Sequence, residues 1–432
     1  MRRSANAEAV NQLQAGLELL RKLPRSAARD SKELSLQVAL GAPLIAVKGF
    51  ASAEVQAIFT RARELCGVLH ATGDLFPVLF RLRSFHLVRG DIQTAYELGK
   101  ELVELAQRVG DPDLLIEAHY ALGAAIYYGG DFPSALEEFR RMETFYDAGR
   151  HGSHAYLYGQ EPGMACLAYQ ACALAYMGQP SEGQQKLRAA LAIAEGTNHP
   201  FSLAFSWTFA AWFHSACRHA RPTQSCAQTA IAVSTKYGFP FWRAMATNFL
   251  GGALTEQGRP LEGLELLLQG IDGIRATGSE LGMVLYLRLL SLTYGALGRH
   301  ADALRSIDES IAMSESRGDK DFDAASIYRV KGELLLARQE RPADVATAEA
   351  LFAHSLDLAQ RQGARLAALS AATCLARLWS ERGETEPAQR IVSEQLEGLA
   401  SAKRATRLPV VQAARAALEA LRNPLGKREW VS

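Results

Sequence analysis

The chain holds 432 residues, with 47 Lys and Arg against 46 Asp and Glu, a formal charge of 47 − 46 = +1. That balance argues against a general nucleic-acid binder and against a protein of anionic membrane surfaces, both of which carry a strong basic excess. Hydrophobic residues at 48% and charged residues at 22% exclude wholesale disorder. No apolar run reaches the ~18 residues that span a bilayer. Met1-Arg2-Arg3-Ser4 has no apolar segment behind it of the kind a secretory signal needs, so a cytoplasmic protein is expected.

Three helices are predicted first, over 5–23, 31–47 and 53–69, within an N-terminal stretch spanning 1–73. Val10, Leu13, Leu17 and Leu20 share one face of the first, and Leu23-Pro24 ends it. From residue 74 to 400 a repeat takes over. Gly130-Asp131-Phe132-Pro133-Ser134-Ala135-Leu136 recurs in kind as Gly258-Arg259-Pro260-Leu261-Glu262-Gly263-Leu264 and Gly298-Arg299-His300-Ala301-Asp302-Ala303-Leu304. Weaker copies begin at Gly90, Gly178, Ala220 and Gly383, with a degenerate one near Glu340-Arg341-Pro342. The period is about 40 residues, stretched between Gly130 and Gly178 to 178 − 130 = 48.

Each part of this signature has a mechanical reason. The Gly closes one helix, because a left-handed residue is cheapest without a Cβ. Pro133, Pro180, Pro222, Pro260 and Pro342 fall where the next helix begins and needs no N–H. Five residues after each anchor stands a small side chain (Ala95, Ala135, Gly183, Ser225, Gly263, Ala303, Ala388), which lets two antiparallel helices cross closely. Eight hairpins are predicted, starting near Leu75, Leu114, Pro162, Pro200, Pro240, Leu281, Asp323 and Arg365. One hairpin cannot bury its own apolar faces, so the expected fold is all-α, a right-handed α-solenoid of tetratricopeptide type with long repeats. Residues 401–432 are read as a closing helix around Pro409 to Leu421 and a frayed basic tail.

Several blocks resemble one bacterial family. They include Gly16-Leu17-Glu18-Leu19-Leu20, Leu40-Gly41, Lys48-Gly49-Phe50, Tyr158-Gly159-Gln160-Glu161-Pro162-Gly163, His199-Pro200-Phe201-Ser202 and Tyr328-Arg329-Val330-Lys331-Gly332-Glu333. They are similar to the C-terminal helical-repeat region of proteins that join a class III adenylate/guanylate cyclase to an AAA/STAND-type ATPase. The resemblance implies a sensor or scaffold part and brings over no catalytic residue, since the cyclase and nucleotide-binding modules lie upstream of that region in the family. With such an upstream neighbour missing, Leu13, Leu17 and Leu20 are expected to stay partly exposed or to meet another molecule.

Motifs that carry chemistry are absent from the sequence. No Gly-x-x-x-x-Gly-Lys-[Ser/Thr] loop, Gly-x-Ser-x-Gly elbow, His-Glu-x-x-His helix or Gly-x-Gly-x-x-Gly turn occurs. The six cysteines (Cys66, Cys166, Cys172, Cys217, Cys226, Cys374) form no Cys-x-x-Cys pair, so buried reduced thiols are expected and no metal or cofactor is assigned. His151, His154, His199, His214 and His219 gather only loosely, and His199-Pro200 is read as a helix start.

Two segments stand out as candidate binding surfaces. Ten aromatics fall between His199 and Arg243, and Phe201, Phe205, Phe209, Trp212 and Phe213 share a helical face while Trp207 points elsewhere. An aromatic core layer is one reading; rings lining a concave groove are the other. The second segment is the stretch from Asp147 to Pro162, with Gly149, Gly152, Gly159, Tyr156 and Tyr158. Trp207, Trp212, Trp242, Tyr156 and Tyr158 are the groove candidates. The function expected is a non-catalytic scaffold or regulatory module that binds a protein or peptide segment, for which a cyclase or ATPase module is a candidate. A small-molecule effector sensor is the rival. Neither nucleic acid nor membrane is expected as a partner.

Overall fold

A computed structural model describes residues 2–48, 52–69, 71–158, 160–197, 199–338, 342–399 and 408–422. The described residues form helices and no strand. Gly49, Phe50, Gly159, Glu340, Arg341 and the basic tail (Lys403, Arg404, Arg407, Lys427, Arg428) lie outside them.

Three helices lead: α1 (Arg2–Arg21), α2 (Ala27–Lys48) and α3 (Ala53–Leu69). The hairpins follow, each an inner helix and then an outer one: α4 (Thr72–Val88) with α5 (Ile92–Val109), and α6 (Pro112–Tyr128) with α7 (Phe132–Phe145). Two short helices, α8 (Ala148–His151) and α9 (His154–Tyr158), make up the insertion. Then come α10 (Pro162–Tyr176) with α11 (Pro180–Thr197), α12 (Pro200–Ala216) with α13 (Ala220–Tyr237), and α14 (Pro240–Glu256) with α15 (Pro260–Ala276). The last three pairs are α16 (Met283–Ala296) with α17 (His300–Glu315), α18 (Ala324–Arg338) with α19 (Pro342–Arg361), and α20 (Arg365–Glu381) with α21 (Thr385–Glu397). A single helix, α22 (Pro409–Arg422), packs on α20 and α21.

The turns are built as the repeat requires. Gly90, Gly130, Gly178, Gly258, Gly298 and Gly383 all take positive φ, and Asp91 and Asp131 cap the helices that follow by accepting from Thr94 N and Ser134 N. One anchor differs from the sequence reading. In the fourth hairpin the left-handed residue is Arg218, at φ 56, rather than Ala220. Its turn has the same main-chain bonds as the Gly258 turn, with His219 N donating to His214 O at 2.9 Å where Arg259 N donates to Leu254 O at 2.9 Å. The close-crossing residue is therefore the buried Thr223, five after Arg218, and Ser225 is exposed. Thr223 fits because its hydroxyl turns back onto His219 O at 3.0 Å instead of facing the neighbouring helix.

Every inner helix packs on the inner helix before and after it. These helices are apolar around most of their circumference, as in α6, where Ile116 through Ala125 are all buried. The coil is tight enough to close on itself. Helix α10 touches α20, and the turns of the early hairpins dock on loops of the late ones. Glu280 N donates to Val88 O at 3.0 Å, Phe322 N to Tyr128 O at 3.1 Å, and Phe132 N to Gln362 O at 3.3 Å. The Gln362 side chain donates to Asp321 O at 2.8 Å, and a Cβ placed on Gly178 would lie 2.2 Å from Leu399 Cδ2. At the N-terminal end Leu17 is buried, Leu13 and Leu20 are half-buried, and Leu19 and Leu23 are 64% and 54% exposed.

This closure separates two otherwise identical glycines. At Gly258 nothing lies within 4 Å of an added Cβ, so Gly258→Ala should cost only the left-handed strain, about 1–2 kcal/mol. At Gly130 the same Cβ would fall 2.5 Å from Gln362 Nε2 and 3.1 Å from Asp321 O. Gly130→Ala should therefore destabilise by clearly more in urea unfolding, and equal losses would contradict a closed coil. Asp321, 3% exposed and paired with Arg317 at 3.2 Å, adds a pH signature. Burial pushes its carboxyl up to about 6 from the ordinary 3.8, against the pull of Arg317. The folded chain thus holds this proton more tightly than the unfolded one. Its contribution is most favourable below 3.8 and falls as pH rises to about 6. Asp321→Asn should flatten that part of the profile of melting temperature against pH.

Candidate functional site

The inner face of the coil has three stretches with different fillings. The middle is packed with rings. Tyr127 meets Trp212 at 5.5 Å and Phe322 at 6.0 Å between centroids, while Trp212 meets Phe322 at 5.0 Å and Phe249 at 5.9 Å. Trp212 Nε1 donates to the Tyr176 hydroxyl at 3.0 Å, which satisfies the indole inside the core. Phe322 arrives from the loop before α18, so the closure of the coil itself fills this part of the groove.

The N-terminal stretch, formed by α4 and α6, is covered by the insertion. Tyr158 lays its ring against Phe80 at 5.0 Å and Phe76 at 6.4 Å. His154 Nδ1 lies 2.9 Å from Glu117 Oε1, and His151 Nε2 lies 3.2 Å from Asp113 Oδ1. Glu117 is fully buried; burial raises its carboxyl, and the His154 bond opposes that. The same bond holds the His154 imidazole above its ordinary value, against the effect of burial. Glu161 fastens the far end by accepting from Met164 N at 2.5 Å and from the Tyr146 hydroxyl at 2.6 Å.

The C-terminal stretch, from the α12–α13 turn to α20, is polar and partly accessible. Arg288 grips the buried Asp323 with two bonds, at 2.6 and 3.2 Å. Arg329 Nη1 donates to Glu333 Oε1 at 2.5 Å, and Arg218 lies 3.5 Å from Glu256. Glu333 keeps 40% of its side chain accessible beside Arg329 and Cys374. Burial there would raise Glu333, yet Arg329 holds its carboxyl below the usual range. Glu256 goes the other way, raised by burial with Arg218 and Arg288 in opposition. Cys374 Sγ points at Glu333 Oε1 at 3.3 Å, and burial pushes the thiol up to about 12. A thiol so rarely ionised is no nucleophile at neutral pH. All six cysteines are free, four of them buried.

The groove candidates separate accordingly. Trp212 and Trp242 are 1% and 8% exposed and belong to the core, which corrects their assignment to a groove. Trp242 is walled by Phe201, Phe205 and Phe241. Both faces of these rings are covered because α10, α12 and α14 stack side by side, a covering one helix's periodicity cannot reveal. Trp207 is half-buried, about 140° around α12 from Trp212. Tyr158 is half-buried against α4, and the Tyr156 side chain lies outside the described residues. Arg288, Arg329 and Glu333 are not among the groove candidates the sequence offers. The signal for Arg288 is a lone charge on the apolar helix α16, whereas Arg329 and Glu333 share α18 with Lys331 and Arg338 and do not stand out.

No family model and no curated protein sequence matches the chain. Among solved structures, a Rap protein complexed with competence and sporulation factor is similar over 86% of this chain and 100% of that one, at 13% identity and TM-score 0.60. A STAND protein with a tetratricopeptide repeat sensor from Pyrococcus horikoshii aligns over 93% of this chain and 56% of its own, at 12% identity and TM-score 0.47. The apo quorum sensor NprR from B. thuringiensis aligns over 85% and 99%, at 12% identity and TM-score 0.46. The fold is a tetratricopeptide-like α-solenoid.

The two indoles of α12 should respond differently to truncation. Trp212→Ala removes a buried ring and strands the Tyr176 hydroxyl, for a loss of about 3–5 kcal/mol in chemical denaturation. Trp207→Ala, half-exposed to begin with, should lose less than about 2 kcal/mol. A reversed order would contradict this assignment of core and surface.

Proposed function

We propose that this chain is a non-catalytic interaction module whose C-terminal inner face receives a peptide segment of a partner protein. The observation that carries the reading is the cluster of Arg218, Glu256, Arg288, Arg329 and Glu333, in which Arg218, Glu256 and Glu333 keep 48%, 32% and 40% of their side chains accessible while Arg288 and Arg329 behind them keep 15% and 12%. Charged groups in such a place are costly unless they do something, and here both signs stand within reach of water. Guanidinium groups that already hold carboxylates through planar bonds can exchange them for the carboxylates of an incoming segment, and Glu256 and Glu333 suit its amides and cations. Wide, mixed-sign, partly wet surfaces recognise extended chains through several modest contacts. The structural likeness to the Rap protein solved in complex with competence and sporulation factor supports a binding role for this chain. The blocks shared with the repeat region of cyclase–ATPase proteins support a partner of the ATPase or cyclase kind.

Panning a phage-displayed random peptide library on the full chain tests this. Enriched peptides should carry an acidic residue and should bind Arg329→Gln and Arg218→Ala variants of native helicity at least about tenfold more weakly. No enrichment, or equal binding to the variants, overturns the reading. A compound from a metabolite panel that raises the melting temperature of the parent chain but not of Arg329→Gln, with no peptide enriched, would replace the peptide with a small molecule.

A further inference from the structure

We propose that the inner face of α4 and α6 is a second docking groove, for a partner segment carrying a cationic donor and an aromatic ring one helical turn apart, and that the insertion is its resident competitor. This site lies at the opposite end of the inner face from the Arg288, Arg329 and Glu333 cluster and does not depend on it.

The chain itself displays the chemistry that the groove accepts. His154 and Tyr158 are four residues apart, so both reach the same side of a helical turn. One meets the Glu117 carboxylate and the other the ring pair Phe76 and Phe80. Arg150 Nη2 and His151 Nε2 add two contacts to Asp113 Oδ1, at 3.0 and 3.2 Å. Three basic side chains of the insertion thus face two acidic ones on α6, where Arg81 of α4 also acts on Glu117, and the insertion's own contacts define a basic, aromatic occupant. The groove also has capacity to spare. Glu117 is fully buried, and its Oε2 has no hydrogen-bond partner, so an occupant with a richer donor than one imidazole would be better satisfied there.

The insertion is suited to leaving. Its helices are four and five residues long, far below the length at which a helix is stable on its own, so the groove contacts hold it. Gly149 and Gly152 interrupt it, and an added Cβ at Gly152 would approach only its own Ala148 O, at 3.5 Å. A segment held through a few side chains opens locally without unfolding the solenoid beneath it.

The test uses a fluorescent synthetic peptide of residues 147–161 and the full chain. In the double variant His154→Ala/Tyr158→Ala the built-in occupant is weakened. The peptide should bind that variant at least about tenfold more tightly than the parent, because the parent groove is already filled. Adding Glu117→Gln should remove the gain. Equal affinity for parent and variant, or no binding by a variant of native helicity, overturns the proposal. Should the double variant lose helicity, a fluorophore on Ser153→Cys, an exposed position, reports instead. Its emission should shift as peptide displaces the insertion, and an unchanged signal at saturating peptide is equally fatal.

Discussion

The contact on which the rest of this molecule depends is the seam where the coil meets itself. Turns at Val88, Tyr128 and Phe132 exchange main-chain hydrogen bonds with Glu280, Phe322 and Gln362. An open solenoid needs only neighbour contacts and can lengthen or flex like a spring. Here hairpins far apart in sequence are joined through buried backbone groups, which cost free energy wherever they lose a partner. The seam ties curvature to stability, so changes in the pitch of the coil are opposed by the same bonds that bury Asp321 and Gln362.

The seam also decides what the inner face can do. A concave surface of this kind is ordinarily a groove along its whole length. Closure drives Tyr127, Tyr128 and Phe322 into the middle of it and leaves two separate stretches. One is lined by arginines and carboxylates in pairs, the other by a covered acidic and aromatic strip. The arginines also keep their place for different reasons. Arg288 is held by a fully buried Asp323, whereas Arg329 shares a carboxylate that remains 40% accessible.

Much of the architecture was legible in the sequence because its signals are local. Gly at the turn, Pro at the next helix start and Ala95, Ala135 or Ala303 at the crossing each act within one hairpin, and the eight inner helices begin within a few residues of the expected places. Where the local rule bent, the reading slipped: Arg218 took a left-handed conformation without the Gly that announces it. The candidate site was harder to see. Periodicity grouped Phe205, Phe209 and Trp212 on one face but was blind to whether that face looked onto water or onto Tyr127. His151 and His154 drew notice only as scattered histidines, since their carboxylates are 38 and 37 residues away.

The sequence alone therefore determined the hairpin, its period and the all-helical class, since helix ends and close crossings are governed by residues within a turn or two of each other. Tertiary structure alone decided the closure of the coil, the burial of Trp212 and the pairing of the insertion with α6. Those rest on groups brought together across dozens of residues and, between Phe132 and Gln362, across 362 − 132 = 230, and no local pattern of side chains encodes which distant loop a turn will meet.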